Sequence, residues 1–233
     1  MDTEIQIYQT NPSDCPYLDR RKSMNIIIDP EYPLSARAYD HLLESGFRRS
    51  ANIVYRPACP GCAECKSSRV PVRSFNPNRS QKRAWKKVCG DIVLKPRNDE
   101  FNEQHFEMYQ RYTRSRHNDS DMAESSSSQY MDFLTSSWSD TIFLEIWVKN
   151  ELLAVAVTDR QPSSLSALYT FFDPEKMSYS PGVVAILSQI ELARQYELDW
   201  LYLGYWIESC PKMSYKTRYR PIQVMEKGHW RAL

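Results

Sequence analysis

The second half of the chain contains the pattern that most constrains the fold, a regular alternation of apolar stretches and short polar turns. Three of these stretches are rich in β-branched and aromatic residues, as strands are. They lie at 141–148, 152–158 and 165–172. A longer apolar stretch at 183–196 predicts a helix, and 200–207 predicts a further strand. The pattern therefore predicts an antiparallel meander, one long helix and a return strand that pairs in parallel.

This order of elements resembles the core of the GCN5-related N-acyltransferases, which are α+β proteins. In that fold two neighbouring strands diverge and expose backbone groups that hold an acyl donor. The resemblance implies an acyltransferase-like C-terminal lobe at 99–233, preceded by a small cysteine-containing N-terminal lobe at 1–98. Other α+β folds share the same order, so the pattern predicts an architecture and leaves the reaction open.

The predicted N-terminal lobe contains three closely spaced cysteines, Cys59, Cys62 and Cys65. A proline and a glycine between the first two favour a tight turn, on which the three thiols can point to one side. Zinc and iron–sulfur clusters usually take four protein ligands, and Cys15, in another turn-rich stretch, supplies a fourth thiol. The sequence thus predicts a structural zinc or iron–sulfur site. The alternative is that these are reduced cysteines that pack without a metal.

Composition argues against several classes of protein. Six cysteines in 233 residues, with no apolar signal run at the start, do not favour an extracellular disulfide framework, so a cytoplasmic protein is expected. No apolar run approaches the roughly 20 residues of a membrane-spanning helix, so no membrane partner is expected. Hydrophobic residues make up 42% of the chain, which is enough for a sizeable core.

The positive charge is concentrated in one segment. The formal net charge is only +1, yet residues 66–97 contain ten Lys or Arg residues against one acid, Asp91. Asn76-Pro77-Asn78 predicts the start of a helix that would carry four cations at three- and four-residue spacing. These cations are Arg79, Lys82, Arg83 and Lys86. Such a stripe is suited to a phosphate backbone, and the alternative is an ordinary solvated helix face.

Several strings, in order along the chain, carry a closer resemblance. They include Gly46-Phe-Arg-Arg-Ser, Tyr55-Arg-Pro ahead of the cysteines, Phe75-Asn-Pro-Asn-Arg-Ser-Gln-Lys-Arg, Tyr169-Thr-Phe-Phe-Asp-Pro and Lys212-Met-Ser-Tyr-Lys. Together they resemble the arginyl-tRNA protein transferase family, in particular its bacterial leucyl-transferring members. The resemblance implies transfer of leucine from leucyl-tRNA to proteins that begin with Asp or Glu, which marks them for degradation by the N-degron route. Aminoacyl-tRNA, bound by the basic stripe, and these proteins are the expected partners, and the chemistry needs no cofactor.

Aminolysis of an aminoacyl ester mainly requires an amine in position, removal of its proton and stabilisation of the oxyanion. No nucleophilic triad is required, and none is visible in the sequence. Asp159 and Asp173, at the ends of predicted strands, are candidate proton relays, and Tyr169 or Tyr205 is a candidate to stabilise the oxyanion. For each acid the alternative is an ordinary turn-forming role.

Recognition of an acidic first residue requires a fixed cation, and arginine can bind a carboxylate through two hydrogen bonds. Five cationic residues in the predicted C-terminal lobe are candidates for this role. They are Arg116, His117, Lys212, Lys216 and Arg218. Ordinary surface charge is the alternative for many of them.

Three other functions stay open. The sequence itself does not decide between a leucyl and an arginyl donor. A coenzyme A-dependent N-acyltransferase would require a glycine-rich loop before the main helix to bind a pyrophosphate, but this loop has one glycine, and Pro181 lacks an amide donor. A metal-stabilised RNA-binding module without catalysis would leave the acyltransferase-like lobe unexplained.

Overall fold

An eight-stranded mixed sheet lies at the centre of the fold in the computed structural model, which describes residues 5–116 and 124–233. The described strands are β1 (Ile7–Gln9), β2 (Ser13–Asp14), β3 (Lys22–Ser23), β4 (Asn25–Ile28), β5 (Arg48–Ser50), β6 (Ile53–Pro57), β7 (Lys66–Pro71), β8 (Ile92–Arg97), β9 (Asp140–Val148), β10 (Glu151–Arg160), β11 (Ser164–Phe172), β12 (Trp200–Trp206), β13 (Gln223–Glu226) and β14 (His229–Ala232). The described α-helices are α1 (Ala36–Glu44), α2 (Arg79–Lys86), α3 (Glu103–Arg116), α4 (Ser127–Leu134) and α5 (Pro181–Gln195). Two 3-10 helices, Pro174–Tyr179 and Pro211–Arg218, follow β11 and β12. The predicted α+β class is confirmed.

The central sheet has the strand order β14-β13-β7-β12-β11-β10-β9-β8. Strands β9, β10 and β11 form an antiparallel meander, and β12 pairs in parallel with β11. Lys149 and Asn150, in the turn between β9 and β10, have φ of 53° and 64°, as a tight hairpin turn requires. The predicted meander, long helix and parallel return strand are therefore confirmed.

Helices cover both faces of the central sheet. On β10, Ala156 belongs to the apolar cluster that includes α5, whereas Val157 belongs to the cluster on the opposite face with α3 and α4. The helix α5 begins directly after Ser180, whose φ of 58° turns the chain, and Pro181 occupies its first position. The first residues of α5 therefore lie beside β11, and they line the cavity described below.

A second sheet, in the order β1-β4-β6-β5, packs with α1. Ser35 caps this helix, because its hydroxyl accepts a hydrogen bond from the Ala38 amide at 3.2 Å. Tyr39 and Leu43 of α1 are buried in one apolar cluster with Tyr202 of β12. This cluster joins the second sheet to the central one.

The two predicted lobes, 1–98 and 99–233, both contribute strands to the central sheet. Strands β7 and β8 both come from the first 98 residues, and both belong to the central sheet. Strand β7 lies between β12 and β13, and β8 pairs with β9. The segment 1–98 thus contributes strands to both sheets, and the boundary at residue 98 stays a prediction. The three clustered cysteines lie on the loop between β6 and β7.

The helix α2 begins two residues after Pro77, where the sequence predicted its start. Asn78 and Gln81 cap it reciprocally: the Asn78 side chain accepts from the Gln81 amide at 3.0 Å, and the Gln81 side chain accepts from the Asn78 amide at 2.8 Å. Gln81 and Ala84 are buried, so the opposite face of α2 is left to solvent. Among the described helices, none is both long enough and apolar enough to cross a membrane.

Candidate active site

A cavity opens where β11 and β12 diverge. Their parallel pairing ends at Ser166 and Tyr202, after which β11 continues along β10 and β12 continues along β7. The gap contains a cavity of about 710 Å³, which the start of α5 and the 3-10 helix Pro211–Arg218 also line. This volume is in the range of sites that bind small molecules.

One wall of the cavity is apolar. Phe172 of β11, Val183 and Ile186 of α5, and Leu203 of β12 form this wall. Contact with hydrocarbon side chains removes apolar surface from water, which favours binding of an aliphatic group. The apolar wall is therefore suited to a ligand with an aliphatic side chain.

Two buried cations also line the cavity, Arg48 and Lys216, and we call them the cation pair. Arg48 is 6% exposed; its Nη2 donates to the Ala167 carbonyl at 2.7 Å, and its Nη1 has no hydrogen-bond partner in the described ranges. Lys216 is 7% exposed, and its Nζ donates to the Tyr205 carbonyl at 2.5 Å. In the part of the chain that the structure describes, neither forms an ion pair with an acid.

Gly204 of β12 lies next to both members of the cation pair. Its φ of +85° is unfavourable for other residues, and a Cβ there would stand 3.4 Å from Lys216 Nζ and 3.6 Å from Arg48 Nη2. The register between β12 and β7 also shifts between Tyr202 and Gly204, so the strand is irregular at this point. A Cβ on residue 204 would contact both cations at ordinary van der Waals distances, so the positive φ is the stronger reason for a glycine here.

The electrostatics of the cation pair favour an anionic ligand. Burial, and secondly the charge of Arg48, lower the pKa of Lys216 from 10.5 to about 7, while Cys210 acts in the opposite direction. Like charges that are buried without a counter-charge are unfavourable. A carboxylate would supply the missing charge, and the Nη1 of Arg48 is available to donate to it.

Arg48 was not among the candidates that the sequence suggested. The signal that could have identified it is the doublet Arg48-Arg49 in a short strand, directly after Phe47. Successive side chains point to opposite faces of a strand. Both residues line the cavity, but Arg48 donates to the Ala167 carbonyl, whereas Arg49 donates to the buried carboxylate of Asp159. The two adjacent arginines thus have different hydrogen-bond partners.

The two candidate tyrosines differ in whether their hydroxyls have a hydrogen-bond partner. Both side chains line the cavity. The Tyr169 hydroxyl is buried, burial raises its pKa, and it has no hydrogen-bond partner within the described ranges. The Tyr205 hydroxyl instead donates toward the Gly46 carbonyl at 3.0 Å and the Tyr55 carbonyl at 3.1 Å. Tyr205 therefore joins β12 to the N-terminal strands.

The two candidate carboxylates do not line the cavity. Asp159 is fully buried; both its oxygens accept hydrogen bonds from Arg49, and one also accepts from Thr141 at 2.9 Å. Asp173 caps the 3-10 helix Pro174–Tyr179, since it accepts from the Glu175 amide at 3.1 Å. Both residues therefore make structural contacts, and neither lies among the cavity-lining residues.

Three of the five candidate cations for an acidic substrate line the cavity. Lys216 belongs to the cation pair, whereas Arg116 and Arg218 are exposed and lie at its solvent side. Lys212 is exposed on the 3-10 helix Pro211–Arg218 and does not line the cavity. His117 lies outside the described residues.

The predicted basic stripe is exposed along α2. Within residues 5–116 and 124–233, none of its four members forms an ion pair with an acid. They are Arg79, Lys82, Arg83 and Lys86. Ser80 and Gln81 of the same helix line the cavity. The stripe therefore runs beside the cavity, on a surface that a polyanion can approach.

The four candidate metal ligands lie near one another. Burial and, in smaller measure, the thiolates of Cys59, Cys15 and Cys62 raise the pKa of Cys65 to about 11. Cys59 also accepts a hydrogen bond from the Met24 amide at 3.4 Å. As placed, no three His, Cys, Asp or Glu side chains of the described chain are arranged to hold a metal ion. The four thiols still suit a soft cation chemically, because its charge would offset the repulsion among thiolates.

Comparison with known proteins connects this site to one family. The family profile for the N terminus of arginine-tRNA-protein transferases matches residues 13–83, and the profile for the C terminus matches residues 104–226. The chain is 46% identical over 226 residues to the aspartate/glutamate leucyltransferase of Hahella chejuensis, covering 97% of this chain and 96% of that protein. It is also 46% identical over 228 residues to that of Teredinibacter turnerae, covering 97% and 93% of the two chains.

Among solved structures, the fold is similar to that of L-PGS from Bacillus licheniformis, with a TM-score of 0.51. The two proteins share 9% identity, and the similarity covers 72% of this chain and 58% of that one. At this identity the likeness concerns the fold alone. The two profiles match in order, and the similarity to the leucyltransferases extends over nearly the whole length. The chain therefore belongs to the arginine-tRNA-protein transferase family.

Proposed function

We propose that this protein transfers leucine from leucyl-tRNA to proteins whose first residue is aspartate or glutamate. The observation that carries this proposal is the cation pair, because two cations buried in a cavity without a counter-charge are suited to a substrate carboxylate. Membership of a tRNA-dependent transferase family and the names of the relatives support the donor and the reaction. Proteins that receive leucine in the cytoplasm would then enter the N-degron route of degradation.

The donor would enter the cavity beside α2. The basic stripe can bind the phosphates of tRNA. Ser80 and Gln81, which belong to the same helix as the stripe, line the cavity. The apolar wall is then within reach of the leucyl side chain. A gap between diverging strands is also where the GCN5-related acyltransferase architecture receives its acyl donor.

The first side chain of the acceptor would bind at the cation pair. A carboxylate there accepts hydrogen bonds from Arg48 and Lys216, whereas an alanine side chain supplies neither an acceptor nor a counter-charge. Because the reaction is aminolysis of an ester, the protein has to hold the amine near the carbonyl carbon and stabilise the oxyanion. Tyr169 lines the cavity, its hydroxyl is protonated, and that hydroxyl has no hydrogen-bond partner among the described residues, so it is the candidate donor to that oxyanion.

A transfer assay tests this function. The purified protein is incubated with charged total tRNA and with peptides that begin with Asp, Glu, Asn or Ala, and the peptide masses are measured. One leucine is expected on the Asp and Glu peptides, and only when charged tRNA is present. Addition of arginine would identify an arginyl donor. Addition of an acetyl group from acetyl-coenzyme A without tRNA would replace the proposal with a coenzyme A-dependent N-acyltransferase.

The double substitution Arg83→Ala and Lys86→Ala is expected to weaken tRNA binding. If both side chains contact phosphates, the slope of log affinity against log salt should become shallower by up to about two units, because fewer counterions are released. The kcat at saturating tRNA should change much less, since neither residue lines the cavity. Filter binding over a series of salt concentrations measures the slope. Arg37→Ala, which removes an exposed arginine from α1, is the control, and unchanged affinity at every salt concentration would make the stripe an ordinary solvated face.

We further propose that Cys15, Cys59, Cys62 and Cys65 bind a structural zinc ion or iron–sulfur cluster that takes no part in the transfer. Anaerobically purified protein should contain zinc or iron by elemental analysis, and Cys62→Ser should lower both the metal content and the Tm. Cys89→Ser, at an exposed position, is the control. A metal-free parent whose Tm does not respond to Cys62→Ser would indicate thiols that merely pack.

A further inference from the structure

The acceptor amine needs a group that removes its proton. An α-ammonium has a pKa of roughly 7.7 to 8.0, and it must lose a proton before the nitrogen can attack the ester. Asp159 and Asp173, the carboxylates suggested by the sequence, do not line the cavity. Lys216 does line it, and burial together with the charge of Arg48 lowers the pKa of Lys216 to about 7. A substantial fraction of this amine is therefore neutral near pH 7.

Among the residues that the structure describes, none is an acidic partner of the Lys216 amine. Arg48 approaches it from β5, and the backbone carbonyl of Tyr205 in β12 accepts its hydrogen bond. The ring of Tyr215, on the same 3-10 helix, has its centroid 5.9 Å from Nζ. Cys210, directly before that helix, is the group that acts to raise the pKa of Lys216. Across the described ranges no carboxylate forms an ion pair with this amine.

We propose that Lys216 accepts a proton from the α-ammonium of the acceptor while Arg48 holds the side-chain carboxylate of the same residue; this rests on the function proposed above. Lys216 and Arg48 lie close to the same position in the cavity. A Cβ on Gly204 would stand 3.4 Å from Lys216 Nζ and 3.6 Å from Arg48 Nη2. In aspartate only two carbon atoms separate the α-nitrogen from the carboxyl carbon, and in glutamate three. One acidic residue can therefore contact Arg48 through its carboxylate and the Lys216 amine through its α-nitrogen at the same time.

The protons balance over one reaction. One proton passes from the α-ammonium to neutral Lys216, and the freed amine forms a bond to the ester carbon. As the bond between that carbon and the ribose oxygen breaks, the oxygen takes the second proton from the nitrogen. Lys216 releases its proton to solvent when the product leaves. An ammonium and an ester thus become an amide, a ribose hydroxyl and one proton.

The acidic side chain would also strengthen the base. The charge of Arg48 lowers the pKa of Lys216, and a carboxylate bound beside Arg48 opposes that effect. The pKa of Lys216 then rises toward that of the ammonium, so that proton transfer becomes more favourable. A neutral first side chain produces no such change. Recognition of Asp or Glu should therefore increase kcat as well as lower KM.

The substitution Lys216→Arg separates proton transfer from charge. Arginine keeps the cation but stays protonated at every pH of the assay, so it cannot accept the proton. With saturating leucyl-tRNA and a peptide that begins with Asp, kcat at pH 7 is expected to fall at least about tenfold. The KM for the peptide should change little. By a pH of about 8.5 the acceptor amine is largely unprotonated, so the deficit in kcat should shrink.

Lys216→Met removes both the charge and the basic nitrogen, and it keeps the test valid if the arginine variant does not fold. It should show the same pH-dependent loss of kcat together with a higher KM. Circular dichroism establishes that each variant is folded. Wild-type kcat at pH 7 in either folded variant, or a deficit that is constant over the pH series, would overturn the role of Lys216 and leave leucyl transfer intact. Failure of the wild-type protein to transfer leucine would overturn the proposed function and this role with it.

Discussion

Replacing Arg49 with methionine is expected to lower the free energy of unfolding by about 3–5 kcal/mol. The side chains of Arg49 and Asp159 have no exposed surface, and Arg49 donates to both carboxylate oxygens and to the Leu134 carbonyl at 2.9 Å. Removal of the guanidinium would leave a buried carboxylate without a counter-charge. The effect is large because the whole stability of a domain is only about 5–15 kcal/mol. Urea denaturation followed by circular dichroism measures the difference.

A double variant separates the ion pair from its surroundings. Arg49→Met combined with Asp159→Leu removes both charges, and it should recover part of the lost stability because apolar residues can replace a buried ion pair at little cost. Asp159→Asn alone should destabilise the protein as well. An Asp159→Asn protein that unfolds at the wild-type urea concentration but no longer transfers leucine would contradict the structural role. Asp159 would then return to the proton relay that the sequence suggested.

Local signals were sufficient to predict the elements that frame the site. The hairpin between β9 and β10 depends on the turn residues Lys149 and Asn150, and the start of α2 depends on its Asn78 cap. Each of these features is decided by contacts over a few residues, so it can be predicted from the residues nearby. The resemblance of whole strings predicted the family, which the family profiles confirm.

The features that were not predicted from the sequence depend on contacts between distant parts of the chain. Strand β7, with the sequence Lys-Ser-Ser-Arg-Val-Pro, lacks the alternation of a half-buried strand, and it is buried because β12 and β13 flank it. Asp159 was interpreted as a relay because nothing nearby in the sequence reveals that Arg49, 110 positions away, binds its oxygens. In the same way, the unpaired Nη1 of Arg48 becomes meaningful only once β11 and β12 are seen to diverge beside it.

Replacing Arg48 with methionine is expected to remove most of the preference for acidic acceptors. Hydrogen bonds to a charged group contribute about 1.5–3 kcal/mol, so kcat/KM for a peptide that begins with Asp should fall about ten- to hundredfold. The low kcat/KM for a peptide that begins with Ala should stay nearly the same, because its methyl group makes no such bond. Competition between the two peptides in one reaction measures the ratio directly. Arg48→Lys keeps the charge without the planar guanidinium and should give an intermediate ratio.

The stability of Arg48→Met distinguishes a substrate-binding cation from a structural one. Because Arg48 is buried beside Lys216 with no acidic partner in the described chain, its charge contributes little to folding, and only the hydrogen bond to the Ala167 carbonyl is lost. The free energy of unfolding should therefore stay within about 1 kcal/mol of wild type or increase, as is common when a functional residue is removed. Two adjacent arginines would then give opposite results: Arg49→Met lowers stability, and Arg48→Met lowers specificity. If Arg48→Met destabilised the protein as much as Arg49→Met, or kept the wild-type preference for Asp over Ala, Arg48 would not be the group that binds the acidic side chain.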